Sequence, residues 1–171
     1  MRGLRFRGRI ERMSEYTVRR AEVGDIPTIL KLLVQVDMVH HNGRPDIFRG
    51  PVTKYTAEEL AEIFADDTRP VFVCVSEDGT VLGHAFCQLK ELHGHKVLQD
   101  VRTLYVDDIC VDEEARGKSV GRALYTHVRA FAKDEKCDSI TLNVWACNPT
   151  AIRFYEAMGM KPQKIGMEEL L

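Results

Sequence analysis

Two apolar runs joined by a tight turn constrain this chain most. Residues 71–75 read Val-Phe-Val-Cys-Val, and residues 81–89 form a second, mainly apolar run. Asp78-Gly79 lies between them, and this dipeptide favours short hairpin turns because both residues tolerate positive φ angles. The segment therefore predicts an antiparallel hairpin, and with it a sheet that begins with antiparallel pairing.

The remaining segments alternate between helical and extended patterns. Strands are expected at 16–20, 71–75, 81–89, 104–111, 139–145 and from Lys161 onward. Helices are expected from Asp25 to Asn42, from Thr56, from Val120 and from Asn148 to Gly159. Apolar spacing, N-cap residues and helix-ending glycines support the helices. This order predicts one mixed α/β domain over residues 14–171.

Residues 1–13 precede this domain and carry arginine at positions 2, 5, 7, 9 and 12. They contain no hydrophobic block of the length that a signal peptide needs. We expect a basic, disordered N-terminal extension. An arm that binds an acidic partner is the alternative interpretation.

Composition excludes several classes of function. The net charge of −2 gives no electrostatic case for nucleic acid, and no apolar run approaches the ~20 residues of a membrane span. Five cysteines without a C-x-x-C pair favour reduced thiols in the cytoplasm. His93-Gly94-His95 is interpreted as part of an exposed turn, and no metal is expected.

The stretch EARGKSVGRAL, residues 114–124, looks suited to phosphate. Its Gly-Lys-Ser triplet would end a nucleotide-binding P-loop, but that loop needs a glycine where this chain has Asp112. A helix N-terminus nevertheless attracts anions, and glycines let a ligand approach the backbone closely. The stretch predicts either a pyrophosphate site or an ordinary strand–helix turn with a basic rim.

Two longer motifs decide between these alternatives. VDDICVDEEARGKSVGRAL, followed by LNVWACNPTAIRFYEAMGM, resembles the GNAT acetyltransferase family. The family pattern [R/Q]-x-x-G-x-[G/A] is matched by Arg116 to Gly121, with Ser119 in place of the usual middle glycine. The second signature pairs Asn148 with Tyr155 in F-Y-E-A-M-G.

The resemblance implies a GNAT fold, with a mixed, mostly antiparallel twisted sheet flanked by helices, and acetyl-coenzyme A as cofactor. The pyrophosphate would lie on the N–H groups of residues 117–122, and the pantetheine arm would pair with residues 109–111 like an added strand. The implied cofactor contacts are Ile109, Cys110, Val111, Arg116, Gly117, Lys118, Ser119, Val120, Gly121, Arg122, Asn148 and Tyr155. Ser119 would be strained if its position requires a positive φ.

The resemblance also suggests catalytic residues. Tyr155 is the candidate acid that protonates the leaving thiolate, because a phenol is neutral at pH 7; simple packing is the alternative. Asp107 is the candidate base for the acceptor amine, as in polyamine-type members, and Asp108 is either structural or at the substrate mouth. Since adjacent strand residues face opposite ways, at most one of the two is expected to enter a given cleft. Two solvated or salt-bridged carboxylates remain the alternative.

Substrate recognition is expected in residues 40–50, where Arg44 could bind charge and Phe48 could pack on a substrate. The alternative is a solvated loop. The predicted function is N-acetyl transfer to a primary amine of a polyamine-like or amino-acid-like small molecule, or of a peptide. A coenzyme A-binding sensor without turnover is the rival, and a homodimer is left open.

Overall fold

A computed structural model describes residues 16–171 of the chain. The strands are β1 (Tyr16–Arg20), β2 (Val71–Ser76), β3 (Val81–Leu92), β4 (Val101–Val111) and β5 (Ser139–Leu142). The helices are α1 (Ile26–Gly43), α2 (Ala57–Phe64), α3 (Val120–Asp134) and α4 (Pro149–Ala157). The basic extension expected at residues 1–13 lies outside the described residues.

The strands form one sheet in the order β1-β2-β3-β4-β5. β1 to β4 pair antiparallel with their neighbours, and β5 joins β4 in parallel after α3. The expected mixed, mostly antiparallel sheet is confirmed. Two details are corrected, since β5 ends at Leu142 rather than at Trp145 and no strand follows Lys161 within the described residues. The last eleven residues are exposed, so no packed face holds them in extended form.

Local signals set the helix ends as the sequence predicts. Thr56 caps α2 in a capping box, in which its hydroxyl accepts from the N–H of Glu59 and its own N–H donates to the Glu59 carboxylate. Asn148 caps α4 through its side-chain oxygen. Gly159 follows α4 with a φ of +92°, where glycine costs least.

Each face of the sheet carries its own apolar core. One core lies under α1 and α2 and includes Ile29, Leu33 and Phe86. The other lies under α3 and includes Leu104 and Leu124. β2 and β3 contribute to both cores, which explains their near-continuous apolar sequence. Residues of β4 on the first face therefore look toward α1 and α2.

β4 contains a bulge at its centre. Phe86 pairs with Asp108 and Cys87 pairs with Val106, so Asp107 is an extra residue without an opposite partner. A bulge interrupts the alternation of side chains along a strand. The expectation that only one of the two adjacent carboxylates enters a given cleft assumed a regular strand, and the bulge removes that basis.

Candidate active site

An open strand edge marks the candidate site. β5 pairs with β4 only between Thr103 and Val106, whereas β4 continues to Val111. Within the described part of the chain, no strand pairs with residues 107–111 on the β5 side, so their backbone groups there are open to an extended ligand. The segment predicted to pair with pantetheine, residues 109–111, lies on this edge.

The loop after the open edge has unusual backbone geometry. Gly117 has a φ of +76°, and Ser119 has a φ of 65° and a ψ of 9°, both in the left-handed region. Glycine adopts this region readily, but a serine there is strained. Ser119 therefore has the positive φ at which strain of a serine is expected. α3 begins immediately afterwards at Val120.

The first N–H groups of α3 are the part of this loop suited to an anion. The first intrahelical bond runs from Ala123 N to Ser119 O, so the N–H groups of residues 120–122 have no acceptor within the helix. Such groups and the helix dipole favour a negative ligand. Lys118 and Arg122 are exposed beside them.

Arg116 and Asp112 shape the start of the loop. The Arg116 Nε donates to Val111 O at 3.4 Å, and a terminal guanidinium nitrogen lies 3.6 Å from Glu113. Asp112, where a P-loop would need glycine, accepts the N–H of Glu114 at 2.9 Å and caps a short 3₁₀ turn. Its carboxylate has a local structural role that is incompatible with a nucleotide P-loop.

Tyr155 projects from α4 toward the middle of β4. Its ring makes edge contacts with Tyr125 and Phe154. Burial, and then the negative charge of Asp108, raise the pKa of the Tyr155 hydroxyl well above its ordinary value. The phenol consequently stays protonated across the pH range of most assays, as a proton donor requires.

Asn148 lies at the start of the same helix. Its Oδ1 accepts the N–H of Ala151 at 3.1 Å, which confirms the helix-cap interpretation. The amide nitrogen has no hydrogen bond among residues 16–171, so it can still donate to a ligand. The cap and the predicted cofactor contact are compatible in one side chain.

Asp107 is paired with a lysine. Lys54, in the segment between α1 and α2, donates to Asp107 Oδ2 at 2.5 Å. Burial lowers the pKa of Lys54, but the hydrogen bond and charge of Asp107 outweigh it, so the pKa is raised overall. The ammonium of Lys54 therefore neutralises much of the charge on Asp107.

Asp108 has a different partner. Its Oδ2 lies 2.9 Å from Nε2 of His84, a β3 residue whose side chain is 0% exposed. On α1, burial and then the charge of Asp108 raise the pKa of Asp37. Three carboxylates (Asp37, Asp107 and Asp108) thus lie near one another with Lys54 among them; we call them the carboxylate cluster.

Residues 40–50 are mostly exposed, but contacts of Phe48 and Arg44 hold them in place. Phe48 contacts His40 and Trp145 with ring-centroid separations of 5.0 and 4.9 Å. Arg44 makes hydrogen bonds to both Asp46 and Glu168. Its charge is therefore already matched by two carboxylates, and it holds the C-terminal segment against the end of α1.

Three residues of this site escaped sequence reasoning: Asp37, Lys54 and His84. A histidine inside an apolar strand run was the one available signal, since a buried polar side chain needs a partner. Lys54 and Asp37 lie in a loop and on a helix of ordinary composition. No local pattern predicts that they lie near the β4 carboxylates.

Comparison with known proteins places this geometry in context. The model of the Acetyltransferase (GNAT) family matches residues 39–160. Streptothricin acetyltransferase from Streptomyces lavendulae is 32% identical over 102 residues, which cover 60% of this chain and 49% of that protein. The chain thus spans about half the length of this relative.

Solved structures share the fold. A mutant of the BH1408 protein from Bacillus halodurans has a TM-score of 0.87 at 30% identity, covering 91% of this chain and 99% of that one. An aminoglycoside acetyltransferase, meta-AAC0020, from an uncultured soil metagenomic sample has a TM-score of 0.69 at 16% identity, covering 92% and 97%. Within residues 16–171, none of the helices combines the length and apolar character that crossing a bilayer requires.

Proposed function

The chain belongs to the GNAT acetyltransferase family, and from that premise we propose that it transfers an acetyl group from acetyl-coenzyme A to a primary amine. One observation carries the proposal: the open edge of β4 leads directly into a left-handed loop and the N-terminus of α3. A ligand with an extended, amide-containing arm and a pyrophosphate matches both parts.

The residues present fit this cofactor. Built on Gly117, a Cβ would meet nothing within 4 Å, so the left-handed loop is open to a ligand. The N–H groups of residues 117–122 would hold the pyrophosphate, with Arg116, Lys118 and Arg122 adding positive charge. The backbone of Ile109, Cys110 and Val111 would bind the pantetheine arm, and the amide of Asn148 would donate to it.

When bound, acetyl-coenzyme A supplies the acetyl thioester. Asp107 accepts a proton from the ammonium of the acceptor, which leaves a neutral amine able to form the new C–N bond. Tyr155 would give its hydroxyl proton to the sulfur as the C–S bond breaks, and it would regain the proton that the attacking nitrogen loses as the amide forms. The acetyl group moves in one ternary complex, because Asp107 and Tyr155 serve the two partners at once.

The carboxylate cluster favours a cationic acceptor. Asp37, Asp107 and Asp108 bring three carboxylates, and Lys54 balances one of them. Small polycationic amines therefore fit better than neutral acceptors. Phe48 would line the acceptor-binding region. Arg44 would hold the loop of residues 40–50 in place rather than bind a charged group of the acceptor, because it already pairs with Asp46 and Glu168.

Release of free coenzyme A thiol tests the activity. The full chain is supplied with acetyl-coenzyme A and a panel containing spermidine, an aminoglycoside, streptothricin, lysine and a short peptide. Sustained thiol release that depends on one amine, with the acetylated amine identified by mass spectrometry, is the expected result. Tight coenzyme A binding without release for any amine would instead support a sensor without turnover.

A further inference from the structure

His84 is a buried polar side chain that the proposed reaction does not use. It lies in β3 opposite Cys110 and is 0% exposed. Its Nε2 is 2.9 Å from Asp108 Oδ2, and among residues 16–171 its Nδ1 has no hydrogen-bond partner. A polar ring in an apolar core costs free energy, so this hydrogen bond calls for an explanation.

The partners of the two ring nitrogens indicate the tautomer. Nε2 faces a carboxylate, so it carries the hydrogen and donates it. Nδ1 faces no acceptor, and a hydrogen there would make a charged imidazolium with an unsatisfied buried N–H. His84 is therefore neutral, with its proton on Nε2.

A neutral donor leaves the charge of Asp108 in place. Asp107 is matched by the ammonium of Lys54, whereas the partner of Asp108 among residues 16–171 is the N–H of His84. The charge of Asp108 is felt by its neighbours, since it contributes to the raised pKa values of Asp37 and Tyr155. Its second oxygen, Oδ1, has no hydrogen bond among the residues that the structure describes.

We infer that His84 is a positioning residue for the acceptor: it holds Asp108 so that Oδ1 binds a second ammonium group of a polycationic amine, beside the amine at Asp107. This inference rests on the proposed function and narrows its acceptor to amines with at least two positive charges. The adjacent carboxylates would serve different nitrogens, because Asp107 is held by Lys54 and Asp108 by His84.

Binding of spermidine to the full chain with coenzyme A tests the inference without turnover. Calorimetry should show binding to the unaltered protein. His84→Leu removes the donor and should weaken spermidine binding ~10-fold or more, the scale of a lost charge-assisted hydrogen bond. His84→Gln keeps an N–H of similar reach and should stay within about 3-fold of the unaltered protein. Coenzyme A affinity should not change in either variant.

A double-mutant cycle separates positioning from a general packing effect. Asp108→Asn should weaken spermidine binding as much as His84→Leu does, and combining the two should add nothing further. His127, a half-buried histidine of α3 that contacts Phe72, provides the matched control. His127→Leu should leave spermidine affinity unchanged. Thermal unfolding shows whether each variant is folded, and His84→Gln and Asp108→Asn carry the test if His84→Leu is not.

Three results would overturn the inference: no spermidine binding by the unaltered protein, equal losses in His84→Leu and His84→Gln, or an additive cycle. Failure of the proposed acetyl transfer would look different. Thiol release would then be missing for every amine, while the spermidine cycle would still report whether His84 acts through Asp108.

Discussion

The loop of residues 116–122 follows the end of β4, whereas the carboxylate cluster lies at the β4 bulge, and the two are built in different ways. The loop, which we propose binds pyrophosphate, consists of consecutive residues and offers backbone N–H groups and two left-handed φ angles. The carboxylate cluster gathers side chains from α1 and β4, with Lys54 of the segment before α2 among them. The loop should therefore respond to changes in backbone geometry, and the cluster to changes in charge.

Removal of the Tyr155 hydroxyl should have the largest effect on turnover, because we propose that this hydroxyl protonates the leaving thiolate when the acetyl group is transferred. Tyr155→Phe should reduce turnover by ~10²-fold or more, the usual scale for a positioned acid, with little change in acetyl-coenzyme A affinity. Because burial raises the pKa of Tyr155, deprotonation of this residue should not limit the rate below about pH 10. Stopped-time thiol assays where chemistry limits the rate measure this.

Tyr125→Phe is the control for Tyr155→Phe, since Tyr125 is a buried tyrosine on α3 that contacts the Tyr155 ring. It should retain most of the turnover. Full activity of Tyr155→Phe would leave Tyr155 as a packing residue and move the proton source to water or to the substrate ammonium.

A negative charge introduced into the loop should have the second-largest effect. Gly121→Asp places a carboxylate where we propose that pyrophosphate binds, and should weaken acetyl-coenzyme A binding at least ~10-fold. A Cβ at Gly121 would lie 3.4 Å from the Phe154 ring, an ordinary contact, so Gly121→Ala should cost much less. Thr126→Asp adds the same charge at an exposed position further along α3 and serves as the control. Calorimetry that finds equal affinities would exclude the loop from the site.

Changes in the carboxylate cluster should alter the pH dependence of the rate rather than the affinity for the cofactor. Asp107→Asn keeps the shape and removes the basicity, so the rate at pH 7 should fall about 10-fold or more. Part of the rate should return at higher pH, because more of the acceptor amine is then neutral. Asp134→Asn, an exposed change on α3, is the control. A pH–rate profile identical to that of the unaltered protein would make Asp107 structural, as the partner of Lys54.

The smallest effects are expected from two substitutions in the loop that should change the free energy of unfolding in opposite directions. Ser119→Gly relieves a left-handed serine and should raise the free energy of unfolding by up to about 1 kcal/mol, whereas Gly117→Ala introduces a Cβ at φ +76° and should lower it by about 1 kcal/mol. Urea unfolding measures both. If both substitutions changed the free energy of unfolding in the same direction, the loop backbone would have to shift when its residues are replaced. The contrast between a loop governed by backbone geometry and a cluster governed by charge would then weaken.

Much of the fold followed from short-range patterns. The hairpin around Asp78-Gly79, the Thr56 and Asn148 caps and the apolar stripe of α3 are properties of neighbouring residues, and the structure confirms them. The predicted family is confirmed as well. The strand predicted from Lys161 onward is not found, because residues 161–171 are exposed and no packed face holds them in an extended form.

The sequence by itself determined the element order as far as α4, the family and the loop of residues 116–122, because each depends on contiguous residues whose conformational preferences act locally. Tertiary structure alone decided the bulge at Asp107, the Lys54 and His84 partners and the approach of Asp37. Those contacts join residues 24 to 71 positions apart, and a sequence pattern carries no register across such distances. The pairing of strands and the packing of α1 bring these groups together, so the charge of each carboxylate depends on neighbours that no local motif specifies.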